Sequence, residues 1–154
     1  ELRDQGRSTV GVYGIDLEKD DIVVGVEVVE ANATMLCISE HGYGKRSTFD
    51  DYPVQRRGGK GVITMKASDR NGALVAAHSV HEHDALMIIT QKGVMIRMPV
   101  DGLRVIGRNT QGVRLIDLDE GDRVVSATTV EPEDESGGDE EAGTAPVPGT
   151  APMA

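Results

Sequence analysis

Aromatic residues make up only 3% of this 154-residue chain: one Phe, three Tyr and no Trp. Any core must therefore be aliphatic, built from Val, Ile, Leu and Met. A single cysteine excludes an internal disulfide framework and a cysteine-rich zinc site. No apolar run approaches the ~20 residues that a membrane-spanning helix needs. No charged-then-apolar leader opens the chain, so a signal peptide is not expected, and a first residue of Glu1 fits a piece of a longer protein. Long helical periodicity is missing as well. What the chain has in quantity is glycine, 19 residues of it, which predicts many tight turns and a β-rich architecture.

The formal net charge of −10 divides unevenly. Residues 131–154 hold seven acids (Glu131, Glu133, Asp134, Glu135, Asp139, Glu140 and Glu141) and no Lys or Arg, a charge of −7. Residues 1–130 hold the other 19 acids and all 16 bases, which leaves −3. Within them, residues 31–80 carry seven bases and four acids, or +3. The acidic total thus conceals a locally basic region and does not exclude a polyanionic partner.

The chain repeats itself. Arg57-Gly-Gly-Lys-Gly61-Val62 aligns with Arg108-Asn-Thr-Gln-Gly112-Val113 at a shift of 51, and with Arg7-Ser-Thr-Val-Gly11-Val12 at a shift of 50. Upstream, Gly42 falls on Gly93, Arg46 on Arg97 and Asp50 on Asp101. Residues 7–29 align with 108–130 without a gap, bringing Ile15-Asp16-Leu17 onto Ile116-Asp117-Leu118. Self-similarity at this period marks a repeat architecture. Each full repeat is expected to supply four short strands: 34–39, 45–49, 62–66 and 74–80, then 85–90, 94–100, 113–118 and 123–130. β-branched residues, lengths of five to eight and Gly/Asn/Asp turns favour strands throughout. Four strands per repeat fits an all-β, propeller-like assembly. Residues 1–30 are the second half of one blade, 31–80 a full blade and 81–130 the last full blade. Residues 131–154, with four prolines, four glycines and seven acids, are expected to form a disordered acidic tail, because they cannot bury enough apolar surface to offset the entropy of ordering.

The densest chemistry lies in Gln55-Arg56-Arg57-Gly58-Gly59-Lys60-Gly61. Three cations fall within five positions, separated by glycines. Guanidinium forks suit phosphate oxygens, and successive glycine N–H groups can form an anion-binding nest. The competing reading is a solvated loop whose glycines only turn the chain. Gly11, Gly61 and Gly112 recur in all three repeats and are architectural; Arg56 and Lys60 do not recur and are a local addition. Both Gly61 and Gly112 are expected to take a backbone conformation that other residues avoid. A nucleotide-binding P-loop is excluded because neither Ser nor Thr follows Lys60 and a strand, not a helix, comes next. Asp16–Asp21 and Asp117–Asp122 lack the distal Glu and the Gly of a calcium loop and are expected to be hairpin turns. His81-Glu82-His83-Asp84 brings no third metal ligand at motif spacing and reads as a linker. Cys37 sits in an apolar strand and is expected to be a buried small hydrophobe. No nucleophile–base set is visible, so no catalytic residue and no metal ligand is assigned.

The box Gln55–Gly61 matches the seven-residue signature of the C-terminal domain of bacterial DNA gyrase A. The repeats around it, including Gly107-Arg-Asn-Thr-Gln-Gly-Val113, resemble that domain across about residues 1–130. The resemblance implies a six-bladed β-pinwheel, of which this chain holds roughly the last two and a half blades. It implies binding of double-stranded DNA along a basic rim and bending of that DNA. Beyond the chain it implies support of ATP-dependent negative supercoiling by a type II topoisomerase, with the rest of gyrase A and with gyrase B as partners, and with ATP and magnesium used elsewhere in the parent enzyme. A cytoplasmic, nucleoid-associated location follows from the same resemblance. DNA-binding roles carry over to Gln55, Arg56, Arg57, Gly58, Gly59, Lys60 and Gly61 only; dispersed bases (Lys45, Arg46, Arg97, Arg104, Arg108 and Arg114) surround the loop, and phosphate contacts are expected at Lys45, Arg46, Arg97 and Arg108 among them. The family's box usually lies in the first blade. Its late position here is similar to a second box of the kind found in actinobacterial-type gyrases. Two alternatives remain open at the sequence level: a propeller-type protein-interaction scaffold, since fold does not fix function, and the related topoisomerase IV domain, which usually lacks an intact box.

Overall fold

The computed structural model describes residues 3–130, so the acidic tail expected at 131–154 lies outside the described residues. Seven strands and one short 3₁₀ turn make up the regular structure: β1 (Thr34–Ser39), β2 (Tyr43–Thr48), the turn Phe49–Asp51, β3 (Leu74–Val80), β4 (Ala85–Thr90), β5 (Met95–Pro99), β6 (Val113–Arg114) and β7 (Val124–Val130). The all-β expectation holds.

The two repeats fold alike. β1 and β4 are continuous apolar runs, Thr-Met-Leu-Cys-Ile-Ser and Ala-Leu-Met-Ile-Ile-Thr, and each is the central partner of an antiparallel sheet. A strand flanked on both edges and covered on both faces has no reason to alternate polar residues. β1 runs against β2 from Thr34↔Thr48 to Ile38↔Gly44 and against β3 from Thr34↔Val80. β4 pairs with β5 and β7 in the same manner. The register shifts at Ile38/Ser39 in one sheet and at Ile89/Thr90 in the other, which are equivalent positions 51 residues apart. The core joining the sheets is aliphatic, as the scarcity of aromatics requires: Leu36, Ile38, Ala76, Val80, Leu86, Ile88, Val100, Leu103, Ile116, Val124 and Ala127.

The blades, however, are not closed within their own repeats. The first sheet has the order β3-β1-β2-β6, so its outer strand, Val113–Arg114, comes from the following repeat. The second sheet has three strands, β5-β4-β7. The segment 62–66, expected as a strand, makes no ladder, and Val62 and Ile63 are 37% and 64% exposed. Its equivalent, β6, docks on the β2 edge of the preceding repeat, a partner that 62–66 does not find among the described residues. The expected strand 113–118 shortens to Val113–Arg114 as the chain then turns inward to bury Ile116. Residues 3–30 contain no strand and are exposed. They still follow the repeat: Val24–Glu27, Val75–His78 and Val125–Ala127, three equivalent segments, line one cleft of about 210 Å³. His78 ties them together, with Nδ1 3.1 Å from Glu27 Oε1 and Nε2 2.9 Å from the Ala127 carbonyl.

Candidate nucleic-acid interface

The box loop follows the 3₁₀ turn through Pro53 and precedes the segment 62–66. Gln55, Arg56, Arg57 and Lys60 are all exposed. The loop is fixed through its backbone. Gly58 N–H donates to the Gly14 carbonyl at 2.7 Å, Asp16 N–H donates to the Gly59 carbonyl at 3.0 Å, and Ile15 bridges Gly59 in parallel. Gly58 N–H already has an acceptor, so it is not available to the anion nest expected from the glycines. Lys60 Nζ stands 3.7 Å from Glu18 Oε1, with both side chains more than 70% exposed. An exposed pair of that kind holds its partners weakly and yields to a denser array of negative charge. Gly14, Ile15, Val54, Arg56 and Arg57 line a shallow depression of about 550 Å³ along the loop.

The glycines behave as the repeats predict. Gly11, Gly61 and Gly112 have φ of 87°, 76° and 77°, the left-handed region that L side chains avoid. Gly112 also passes close to β2: a Cβ there would lie 2.7 Å from the Gly44 carbonyl oxygen, whereas a Cβ on Gly61 meets nothing within 4 Å.

Two of the four dispersed cations are not on the surface. Lys45 and Arg46 are 1% and 4% exposed, which corrects their assignment as phosphate contacts. Lys45 Nζ donates to the carbonyls of Gly107 and Arg108, and Arg46 Nε donates to the Leu103 carbonyl at 2.9 Å. Ile106 N–H donates back to the Arg46 carbonyl at 2.8 Å. A buried charge must be hydrogen-bonded to be tolerated, and here the partners are carbonyls of the crossing segment 103–108. Burial pushes the Lys45 ammonium below its ordinary range. These two residues therefore hold in place the loop that carries Arg108, the repeat counterpart of Arg57. Arg108 is half-buried, with Nη1 donating to the Ile63 carbonyl at 2.8 Å and its guanidinium 5.7 Å from the Tyr52 ring centre. Arg97 is exposed on β5.

Cys37 is buried, its thiol pushed up by burial and within 3.4 Å of Thr64 Oγ1. His81 N–H donates to Asp84 Oδ2 at 2.8 Å, the closed turn expected of a linker. Among the described residues no three His, Cys, Asp or Glu gather as a metal site, and no helix is long and apolar enough to cross a membrane. Sequence reasoning missed the meeting of Tyr43, Arg70 and Arg114. Their separation along the chain hides it, and only the pairing of β2 with β6 reveals it.

The sequence pattern described as the DNA gyrase C-terminal domain, beta-propeller, matches residues 1–30, 33–81 and 84–131. DNA gyrase A of Aminobacterium colombiense is 45% identical over 134 residues, covering 87% of this chain and 16% of that protein. DNA gyrase A of Salmonella typhimurium is 42% identical over 135 residues, covering 87% of this chain and 15% of that protein. The chain thus spans less than a fifth of the relatives it matches. Among solved structures, a DNA gyrase A C-terminal domain superposes with a TM-score of 0.75 at 29% identity, covering 83% of this chain and 44% of that one. A topoisomerase IV C-terminal domain superposes at 0.74 with 22% identity, covering 80% and 39%, and shares the fold. With its repeats matched by the family pattern and its first sheet completed by a strand of the following repeat, the chain belongs to the DNA gyrase C-terminal domain family of β-propellers.

Proposed function

We propose that this chain is a DNA-wrapping segment of gyrase A. It grips duplex DNA by the phosphate backbone, and 1–30, 31–80 and 81–130 act as a half blade and two full blades of one ring. The observation that carries the reading is the box: three exposed cations on a loop whose backbone is hydrogen-bonded to residues 14–16. Gln55, Arg56, Arg57, Gly58, Gly59, Lys60 and Gly61 form the main contact, and Arg97 and Arg108 extend it. Contacts of this type position DNA without reading its sequence. Bending a 20–30 base-pair site costs on the order of 1–6 kcal/mol, which distributed contacts offset. In the parent enzyme the bent DNA biases strand passage toward negative supercoiling. ATP and magnesium act elsewhere, the rest of gyrase A and gyrase B are the protein partners, and the setting is the cytoplasmic nucleoid.

The test is a salt titration of the protein on several unrelated duplexes. Wrapping by phosphate contact predicts a linear fall of log K with log salt, about 0.9 per phosphate neutralised, and similar affinities for all sequences. A flat salt dependence would instead favour a protein-interaction scaffold.

A further inference from the structure

We propose that Tyr43, Arg70 and Arg114 form a seat for a single phosphate oxyanion at the seam between two repeats. Tyr43 opens β2 and stands directly opposite Arg114 of β6, which belongs to the next repeat. Arg70 reaches the same point from the turn 68–72. The Tyr43 hydroxyl accepts from Arg70 Nε and from Arg114 Nη2, each at 3.2 Å. The two guanidinium carbons lie 4.9 and 5.7 Å from its ring centre. A phenol oxygen has two acceptor positions and one proton, so with both positions filled the hydroxyl has its proton to give.

Two guanidiniums gathered on one neutral side chain form a doubly positive cluster lacking a buried counter-charge, and an oxyanion matches its donors. A cavity of about 260 Å³ opens beside them, lined also by His41, Asp117, Leu118 and Asp122. At ~30 Å³ per water, it accommodates a phosphate group with part of its hydration.

The acids at the rim do not fill this role. Asp122 accepts from the main-chain N–H groups of Lys92 and Arg123. Asp117 pairs with Arg114 at 2.6 Å, but the two side chains are 84% and 60% exposed, so the pair is easily exchanged for a phosphate. His41 faces the Arg70 carbonyl through Nδ1 at 3.3 Å, with Nε2 4.0 Å from Glu40. The Tyr43 hydroxyl is held below its ordinary range by the hydrogen bonds from Arg70 and Arg114, in keeping with a cationic field at this point.

The repeats point the same way independently. At a shift of 51 the counterparts of Tyr43, Arg70 and Arg114 are Val94, Gly121 and Ile63. The cluster is therefore an addition to the architecture, as the box cations are. Phosphate can arrive as part of duplex DNA, in which case the proposal deepens the reading above, or as a free phosphate.

Two measurements on the intact protein separate these sources: equilibrium dialysis of inorganic phosphate at constant ionic strength, and duplex binding against salt. The variants are Arg70→Gln with Arg114→Gln, Tyr43→Phe, which keeps the buried ring, and Asp117→Asn, each checked by a thermal melt. A DNA seat predicts that the double Arg variant lowers the magnitude of the salt slope by about 0.9 and that Asp117→Asn tightens duplex binding roughly three-fold. A free-phosphate seat predicts saturable phosphate binding that is lost in the Arg variant and weakened in Tyr43→Phe, with the duplex slope unchanged. Folded variants that change neither phosphate nor duplex binding overturn the seat. If the box variants still lose duplex binding in that case, the DNA-wrapping reading survives it. A parent protein with no salt-dependent duplex binding defeats the wrapping reading, and phosphate dialysis still decides the seat.

Discussion

Replacing Arg56, Arg57 and Lys60 together by Ala should reduce the magnitude of the salt slope of duplex binding by about 2.7, at ~0.9 for each lost phosphate contact. Between 50 and 200 mM salt the parent protein should then lose roughly 40-fold more affinity than the variant, since a four-fold change in salt is raised to that power. The loss should be nearly the same for every duplex sequence, because phosphate contacts carry no base information. Folding should be spared: all three side chains are exposed, and the loop is fixed by backbone hydrogen bonds of Gly58 and Gly59. A folded variant with an unchanged slope would remove the loop from the interface.

The largest stability effect is expected at Gly112. Gly61 and Gly112 occupy matching repeat positions and share a φ near 76°. Adopting the left-handed region costs a non-glycine residue roughly 1–2 kcal/mol, and this term applies equally to both. Only Gly112 adds a steric one, since its Cβ would meet the Gly44 carbonyl oxygen at 2.7 Å and Met65 Cε at 2.9 Å. Backbone does not give way as a flexible side chain does, and overpacking of this kind costs about 1–3 kcal/mol more. Gly112→Ala should therefore destabilise by ~3 kcal/mol or more, against ~1 kcal/mol for Gly61→Ala, measured by denaturant unfolding. The difference reads the β2–β6 exchange directly. Equal losses at the two positions would mean that residues 112–114 do not pack on β2.

How much of this was legible in the sequence depends on whether the controlling interaction is local. β1, β3 and β4 start and stop where the apolar runs and their flanking turns place them, because a central strand is fixed by its own residues. The exchanged outer strand was not legible: which repeat Val113–Arg114 completes is a fact of topology, and no local pattern carries it. Lys45 and Arg46 were misplaced for a related reason. Charged side chains are almost always exposed, yet here the crossing segment 103–108 covers them and offers its carbonyls. The repeat did hold a signal, since Lys45 aligns with Ile96, an apolar residue, at a shift of 51. Arg46 gave no such warning. Its counterpart Arg97 is exposed because nothing among the described residues crosses β5 as residues 103–106 cross β2. The box loop was legible as a site because exposed glycine-spaced cations need no tertiary partner to be recognised. The Tyr43 cluster was not, because its three residues meet only after β6 docks.

Binding alone does not distinguish DNA that is wrapped from DNA that is merely held. Closed circular DNA relaxed by a type I topoisomerase in the presence of the intact protein, and then stripped of protein, records any wrapping as a change in linking number. Wrapping predicts a shift of the topoisomer distribution, of one sign, that grows with protein added and is diminished in the Arg56, Arg57 and Lys60 variant. Saturating binding to the circle with an unshifted distribution would contradict it.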